Sequence, residues 1–260
     1  MTALPMPVLF LGHGSPMNAI EDNAWSQAWR ALGARLPRPR AVLCVSAHWE
    51  TPGPWLTGSA QPPTIHDFGG FPQALFDVQW PVPGDPALAG RVVDLLGEDF
   101  AARIDPRRGL DHGAWGVLRP MYPDADVPVV QLGIDSRRPG PWHVALARRL
   151  APLRDEGVLV LGSGDIVHNL RLFGWRDPSP LPWALRFRDR VNALVRDGDL
   201  AALADWPALG EDARLSIPTP EHYLPLLYAL ALAREGDALT FFNDDVVSSL
   251  SMTSLIVGTA

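Results

Sequence analysis

The stretch Val8–Pro16, VLFLGHGSP, decides how the fold is read. Its first four residues are apolar without alternation, which suits a strand covered on both faces. The run stops at Gly12-His13-Gly14-Ser15-Pro16. Glycine permits the sharp reversal needed where a buried strand ends, and proline prevents the strand from continuing. Nothing in such a turn requires a histidine. Two further stretches repeat the arrangement: VLCVSAHW (Val42–Trp49) and VLVLGSGDIVHN (Val158–Asn169) each pass from an apolar run through small residues to a histidine, His48 and His168. Ligands of open parallel sheets bind beyond the carboxyl ends of the strands. Three strands of this kind predict that His13, His48 and His168 are neighbours at that edge.

Working outward, apolar runs predict strands at Val8–Leu11, Ala41–Val45, Val127–Leu132, Val158–Leu161, Leu239–Phe242 and Ser251–Val257. Amphipathic segments predict helices at Ala24–Leu36, Pro86–Leu96, Trp142–Leu153, Ala184–Val195 and Pro220–Ala233. Their alternation predicts an α/β fold with a central, largely parallel or mixed sheet flanked by helices on both faces. No linker, charge block or shift of composition divides the chain, so residues 1–260 read as one domain.

The bulk composition narrows the partners. A formal net charge of -7, with nothing more basic than Arg107-Arg108 or Arg137-Arg138, argues against nucleic acid. No run of about 18 apolar residues could span a membrane. The N-terminal stretch lacks the charged and apolar regions of a secretion leader. The single cysteine, Cys44, lies in an apolar run and reads as a buried thiol. A cytoplasmic protein, monomeric or a small homo-oligomer, is expected. The 27 prolines, about twice average usage, gather in loops such as Thr51–Pro72 and stiffen them. Walker, H-E-x-x-H, C-x-x-C and G-x-S-x-G motifs are absent, which disfavours nucleotide, thiol and serine-hydrolase chemistry.

Seven histidines remain the informative residues. Imidazole is the commonest protein ligand for first-row divalent metals, and several on rigid elements can fix one. His222, in PTPEHYLPLLYAL, is read into the first turn of a helix with Thr219 as N-cap and Pro220 at the first position. The positive helix end would keep that imidazole neutral. His112, in GLDHGAWG, reads either as part of a plain turn or as a hydrogen-bonding group of a pocket. His66, in PPTIHDFGGFP, belongs to a loop that matters more than the imidazole itself. His143 opens an amphipathic helix beside Trp142 and reads as structural. The small residues of Gly162–Asp165 would let the following loop move His168.

Taken together, GHGSPMN, VSAHW, IHDFGGFP, GLDHGAWG, MYPDADVPVVQL, GSGDIVHNLR and TPEHYLPL resemble, in order along most of the chain, the class III extradiol ring-cleavage dioxygenases of the LigB superfamily. The similarity is to the DOPA 4,5-dioxygenase-like branch. It implies one divalent metal ion, Fe(II) for activity or Zn(II) as found in isolated protein, with a catechol and O2 as substrates. His13 and His48 match the metal-binding histidines. His222 takes the position where distant members carry a carboxylate ligand. His168 matches the acid/base histidine, within reach of the metal in this branch, and His112 matches another histidine of the pocket. Two other readings of the same residues stand beside this one: a zinc-dependent hydrolase, and a non-catalytic metal or small-molecule binding protein.

Overall fold

Every apolar run predicted to be a strand overlaps a strand of the computed structural model, which describes residues 5–259. Residues 1–4, part of the stretch read above for a leader, and Ala260 lie outside the described residues. Among the described residues eight strands share one sheet: β1 Val8–Gly12, β2 Ala41–Glu50, β3 Trp55–Thr57, β4 Arg103–Asp105, β5 Val129–Ile134, β6 Val158–Gly164, β7 Leu239–Phe242 and, beyond a hairpin of β8 Val246–Val247 and β9 Leu250–Ser251, β10 Ser254–Val257. Their order is β4-β3-β5-β2-β6-β1-β10-β7. The centre, β5-β2-β6-β1, is parallel. It meets β3 on one side and β10 on the other in antiparallel pairs, so the sheet is mixed.

The unbroken apolar runs are explained by burial on both faces. Val8 and Phe10 of β1, with Leu43 and Val45 of β2, pack under the helices Pro86–Phe100, Gly140–Arg149, Pro182–Asp197 and Leu224–Ala231. Leu9 and Leu11, with Val42 and Cys44, face the helices Ala24–Arg35 and His112–Met121 through Trp29 and Trp115. Successive residues thus serve opposite layers, as the period of two requires. Each large apolar side chain withdrawn from water contributes about 1.5–3 kcal/mol, which makes the strand ends firm mounts for a site.

Several boundaries differ from the sequence reading. Strand β2 runs on to Glu50, so His48 lies inside the strand and not beyond it. The last predicted strand is two pieces, with Leu250–Ser251 in the hairpin and Ser254–Val257 in the sheet. The helix His112–Met121 is absent from the sequence reading, where GLDHGAWG reads as a small-residue loop. It forms because Asp111 caps it, accepting from Ala114 N at 3.1 Å, and because almost all of it is buried. The helix expected from Pro220 begins at Leu224. Pro225, not Pro220, stands in its first turn, and Thr219 is no cap: its hydroxyl donates to Glu221 at 2.9 Å. No helix among the described residues is long and apolar enough to cross a membrane.

Candidate active site

The sheet register brings the histidine-bearing segments to one edge. In the parallel pairs Gly12 stands opposite Gly164, and Ser46 opposite Ser163. His13 and Asp165 therefore leave the sheet side by side, next to His48 near the end of β2. His222 arrives from the turn before helix Leu224–Ala231, where its carbonyl accepts from Asp165 N at 2.8 Å. Only glycine allows that approach, since a Cβ on Gly164 would lie 2.1 Å from His222 O. Gly14 has φ +57, a left-handed conformation open to glycine without strain, and so aims the chain away immediately after His13.

The ring nitrogens are arranged for a cation. Ser163 donates its hydroxyl proton to Gly113 O, so its oxygen accepts from His13 Nδ1–H at 3.0 Å. That leaves a lone pair on His13 Nε2. This atom is 3.2 Å from His48 Nε2. Nitrogens bound about 2.0–2.1 Å from one ion stand at about this spacing, whereas two bare lone pairs would repel. His222 Nδ1 lies 3.0 Å from Glu221 Oε1, and its Nε2 is buried without a hydrogen-bond partner. A carboxylate accepting from one imidazole nitrogen while the other faces a metal is a common arrangement around ligands. Ligand atoms of His13, His48 and His222 all fall within 4.8 Å of one another.

A carboxylate stands beside them. Asp165 Oδ1 accepts from Gly14 N at 3.1 Å, while Oδ2 is buried, has no donor and lies 3.4 Å from His13 Nε2. Unsatisfied buried atoms cost about 1–3 kcal/mol each, and charged ones more. A divalent cation among these lone pairs removes that cost, so the residues present fit a metal.

Electrostatics keep the rings ready for one. Burial is the largest cause drawing His13 and His222 well below the ordinary imidazole range, and neighbouring imidazoles add to it. Burial, then His112, brings His48 to about 3, and burial brings His168 to about 4. All four are neutral at pH 7, the form that binds metal. Asp67 behaves oppositely. Burial alone would raise it, but hydrogen bonds and charge from His112 outweigh burial and hold it at about 2.

The remaining histidines separate by position. His168 is stacked on His222, with ring centroids 3.4 Å apart and planes 4° from parallel, and it forms a second possible ligand group with Asp165 and His222. Its backbone donates to Ser216 O at 2.9 Å and bridges to Leu250. The small residues before it have a packing role. A Cβ on Gly162 would lie 2.4 Å from Pro225 O, so Gly162, like Gly164, permits close packing. His112 is in the site and not in a plain turn: its Nδ1 is 3.0 Å from Asp67 Oδ1, and its ring centroid 3.9 Å from that of His48. His66 points away and donates from Nε2 to Val78 O at 2.9 Å, which holds the loop carrying Asp67 and Phe68. His143 is far from the site, paired with Tyr228 at 2.9 Å. A cavity of about 460 Å³ opens over this group, floored by the five histidines and Asp67 and walled by Phe68, Phe71, Leu170, Phe173, Trp175 and Leu250.

The sequence reading missed Asp67, Ser163, Asp165 and Glu221. Asp67, Asp165 and Glu221 each lie within three residues of a histidine already singled out, and Ser163 within five, but their roles depend on contacts made across the fold.

The model of a family described as the catalytic LigB subunit of aromatic ring-opening dioxygenase matches residues 7–254. The chain belongs to this family. A relative from Escherichia coli K12, named 4,5-DOPA dioxygenase extradiol, is 50% identical over 99% of this chain and 97% of its own length. One of the same name from Beta vulgaris is 39% identical over 87% of each. The crystal structure of an uncharacterized Escherichia coli K12 protein superposes with a TM-score of 0.85 at 44% identity, covering 97% of this chain and 100% of that one. The chain is thus a class III extradiol dioxygenase of the DOPA-dioxygenase-like branch, an enzyme that opens aromatic rings. Membership decides against the hydrolase and the non-catalytic binding protein.

Proposed function

We propose that the enzyme opens the ring of a small catechol beside its diol, consuming O2 and yielding a muconic semialdehyde, with Fe(II) as the working metal. The observation that carries this reading is the 3.2 Å approach of His13 Nε2 to His48 Nε2 with the bare Nε2 of His222 beside them. His13, His48 and His222 would hold the ion, with His168 as a further ligand in the resting site. Bound Fe(II) supplies Lewis acidity toward the diol and a redox relay to O2, whereas Zn(II) supplies only the first.

The chain's own residues do the rest. Ser163 and Glu221 keep a proton on Nδ1 of His13 and His222, and so keep their Nε2 lone pairs turned inward. His168, neutral at pH 7, takes a catechol proton as the diol arrives and later returns one. Asp67 accepts from His112 N at 2.9 Å and stands 3.0 Å from its Nδ1, which keeps the ring turned into the cavity, where it can contact substrate oxygen. Phe68 and Phe71, their rings 5.5 Å apart, offer aromatic edges to the catechol face and keep water from the opening ring.

The test is anaerobic reconstitution with Fe(II), followed by a catechol panel in air. A yellow semialdehyde whose mass is catechol plus two oxygen atoms is expected, with none from iron-free zinc protein. Equal ring-opening rates in the zinc protein would overturn the proposal.

A further inference from the structure

His48 has two ring nitrogens, and the metal site above uses one. Its Nε2 faces His13 Nε2 at 3.2 Å, while its Nδ1 lies 3.4 Å from Asp67 Oδ2. His112 approaches the same carboxylate, with its Nδ1 3.0 Å from Asp67 Oδ1. That nitrogen, on a residue only 6% exposed, nevertheless has no hydrogen-bond partner, because Asp67 Oδ1 accepts instead from His112 N at 2.9 Å. The 3.4 Å contact of His48 is longer than the usual N–H···O range of about 2.7–3.2 Å. Two nitrogens thus stand close to one carboxylate without donating well to it. Atoms bound at about 2.1 Å to one ion, at right angles or tetrahedrally, are about 3.0–3.4 Å apart and do not point at each other. Both separations match that geometry. Ligand atoms of His48, Asp67 and His112 all fall within 4.8 Å of one another. Asp67 lines the cavity with part of its side chain open to water, so an ion can enter from that side.

We propose that His48, Asp67 and His112 form a second divalent-cation site, joined to the first through the His48 ring. This rests on the metal site proposed above and not on the catechol reading. The second ion takes His112 Nδ1, an Asp67 oxygen and His48 Nδ1. His48 gives up its Nδ1 proton to solvent and holds one ion through each nitrogen, as an imidazolate. His112 carries its proton on Nε2, and no electrons move. The two cations repel each other, and the negative charges of Asp67 and the imidazolate offset that repulsion. The second ion is therefore held more weakly than the first. Zn(II) suits this mixture of imidazole and carboxylate. Filling the site engages His112, the ring set to contact substrate, and so slows turnover.

The experiment starts from protein holding one Zn(II) per chain and titrates in further Zn(II), by calorimetry in buffers of different ionisation enthalpy. A second event of one ion per chain is expected, with a micromolar Kd and release of one proton. Asp67→Asn and His112→Phe should each lose this event while metal analysis still finds the first ion. The absence of a second event, or one that survives both substitutions, overturns the inference. A second event that releases no proton overturns the His48 bridge. Protein that holds no ion at all removes the first metal site together with the second. Added Zn(II) should also slow ring opening by the Fe(II) enzyme with its iron retained, and leave the rate of Asp67→Asn where it was. An unchanged rate with the second site filled overturns the inhibitory role.

Discussion

His13 and His143 are both hidden from water, at 5% and 0% exposure, yet only His13 stands in the proposed metal site. His143 lies on helix Gly140–Arg149, and its Nδ1 meets the Tyr228 hydroxyl of helix Leu224–Ala231 at 2.9 Å. Its ring neighbours are Trp142 and Tyr228. Burial pulls it to about 4, against a smaller opposite effect of the Asp135 and Arg138 backbone. His13 is depressed by burial too, but it shares its surroundings with His48, His112 and His222. A depressed pKa therefore does not separate a ligand from a structural histidine. The separating feature is convergence, in which one nitrogen of a ring is taken by Ser163 or Glu221 and the other is turned toward its neighbours.

The largest effect should come from taking a nitrogen out of that convergence. His13→Ala and His48→Ala are expected to lose metal and ring opening together, while His143→Phe keeps full metal content and a wild-type rate. Metal analysis beside turnover checks both halves, and a metal-depleted His143→Phe protein that is still folded would break the comparison. Next in size is His168→Ala. We expect weaker metal binding and, under saturating Fe(II), a kcat lower by a factor of roughly 10²–10⁴, the usual worth of a positioned proton carrier. Single-turnover rates read this, and full metal with an unchanged rate would remove His168 from both roles. Glu221→Gln should sharpen the comparison with a smaller loss, about 10–100-fold in metal affinity measured by chelator competition, because it weakens the acceptor behind His222 without removing a ligand.

The smallest effect is one of pH, and it belongs to His143. Its folded pKa of about 4 lies below the ordinary value of 6.5. Between those values the unfolded chain binds a proton that the folded chain refuses, so stability falls as pH drops from 6.5 toward 4. The loss is about 1.4 kcal/mol per pH unit for one such group. Above 6.5 both states are neutral and the contribution is constant. Denaturant melts of His143→Phe across this window should show a slope shallower by about that amount. An unchanged slope would mean that the ring does not titrate as its burial implies.

Much of the fold and half of the site are legible in the sequence, and the reasons are local. Strands β1, β2 and β6 stand out because burial on both faces demands unbroken apolar runs. A polar imidazole directly after such a run is out of place in a plain turn, so its position itself signals a site. The start of helix His112–Met121 is hidden because Gly113 permits close packing: a Cβ there would lie 2.4 Å from Ser46 Oγ. Such a glycine cannot be told from a turn glycine without its neighbours. The start of helix Leu224–Ala231 is hidden for another reason. Pro220 and Pro225 are equally good first-turn residues, and the seat of His222 O on Gly164 and Asp165 chooses between them. Asp67 and Asp165 are illegible as partners. A carboxylate acquires its meaning from what faces it, and here that comes from β2, helix His112–Met121 and the turn after β1.

The four histidines nearest the proposed metal come from residues 13, 48, 168 and 222: one early strand end, one central strand, one late loop and one turn near the C-terminal end. A ligand that needs all four can be held only after the parallel centre of the sheet has closed and the His222 turn has docked on β6. Metal uptake is then a late event during synthesis and an assay of complete folding. By mass action an ion that binds the folded chain alone lowers the unfolded population, by about a factor of 100 at a free concentration about one hundred times its Kd. In a cell the supply of metal would govern how much of this enzyme survives proteolysis as well as how much of it turns over.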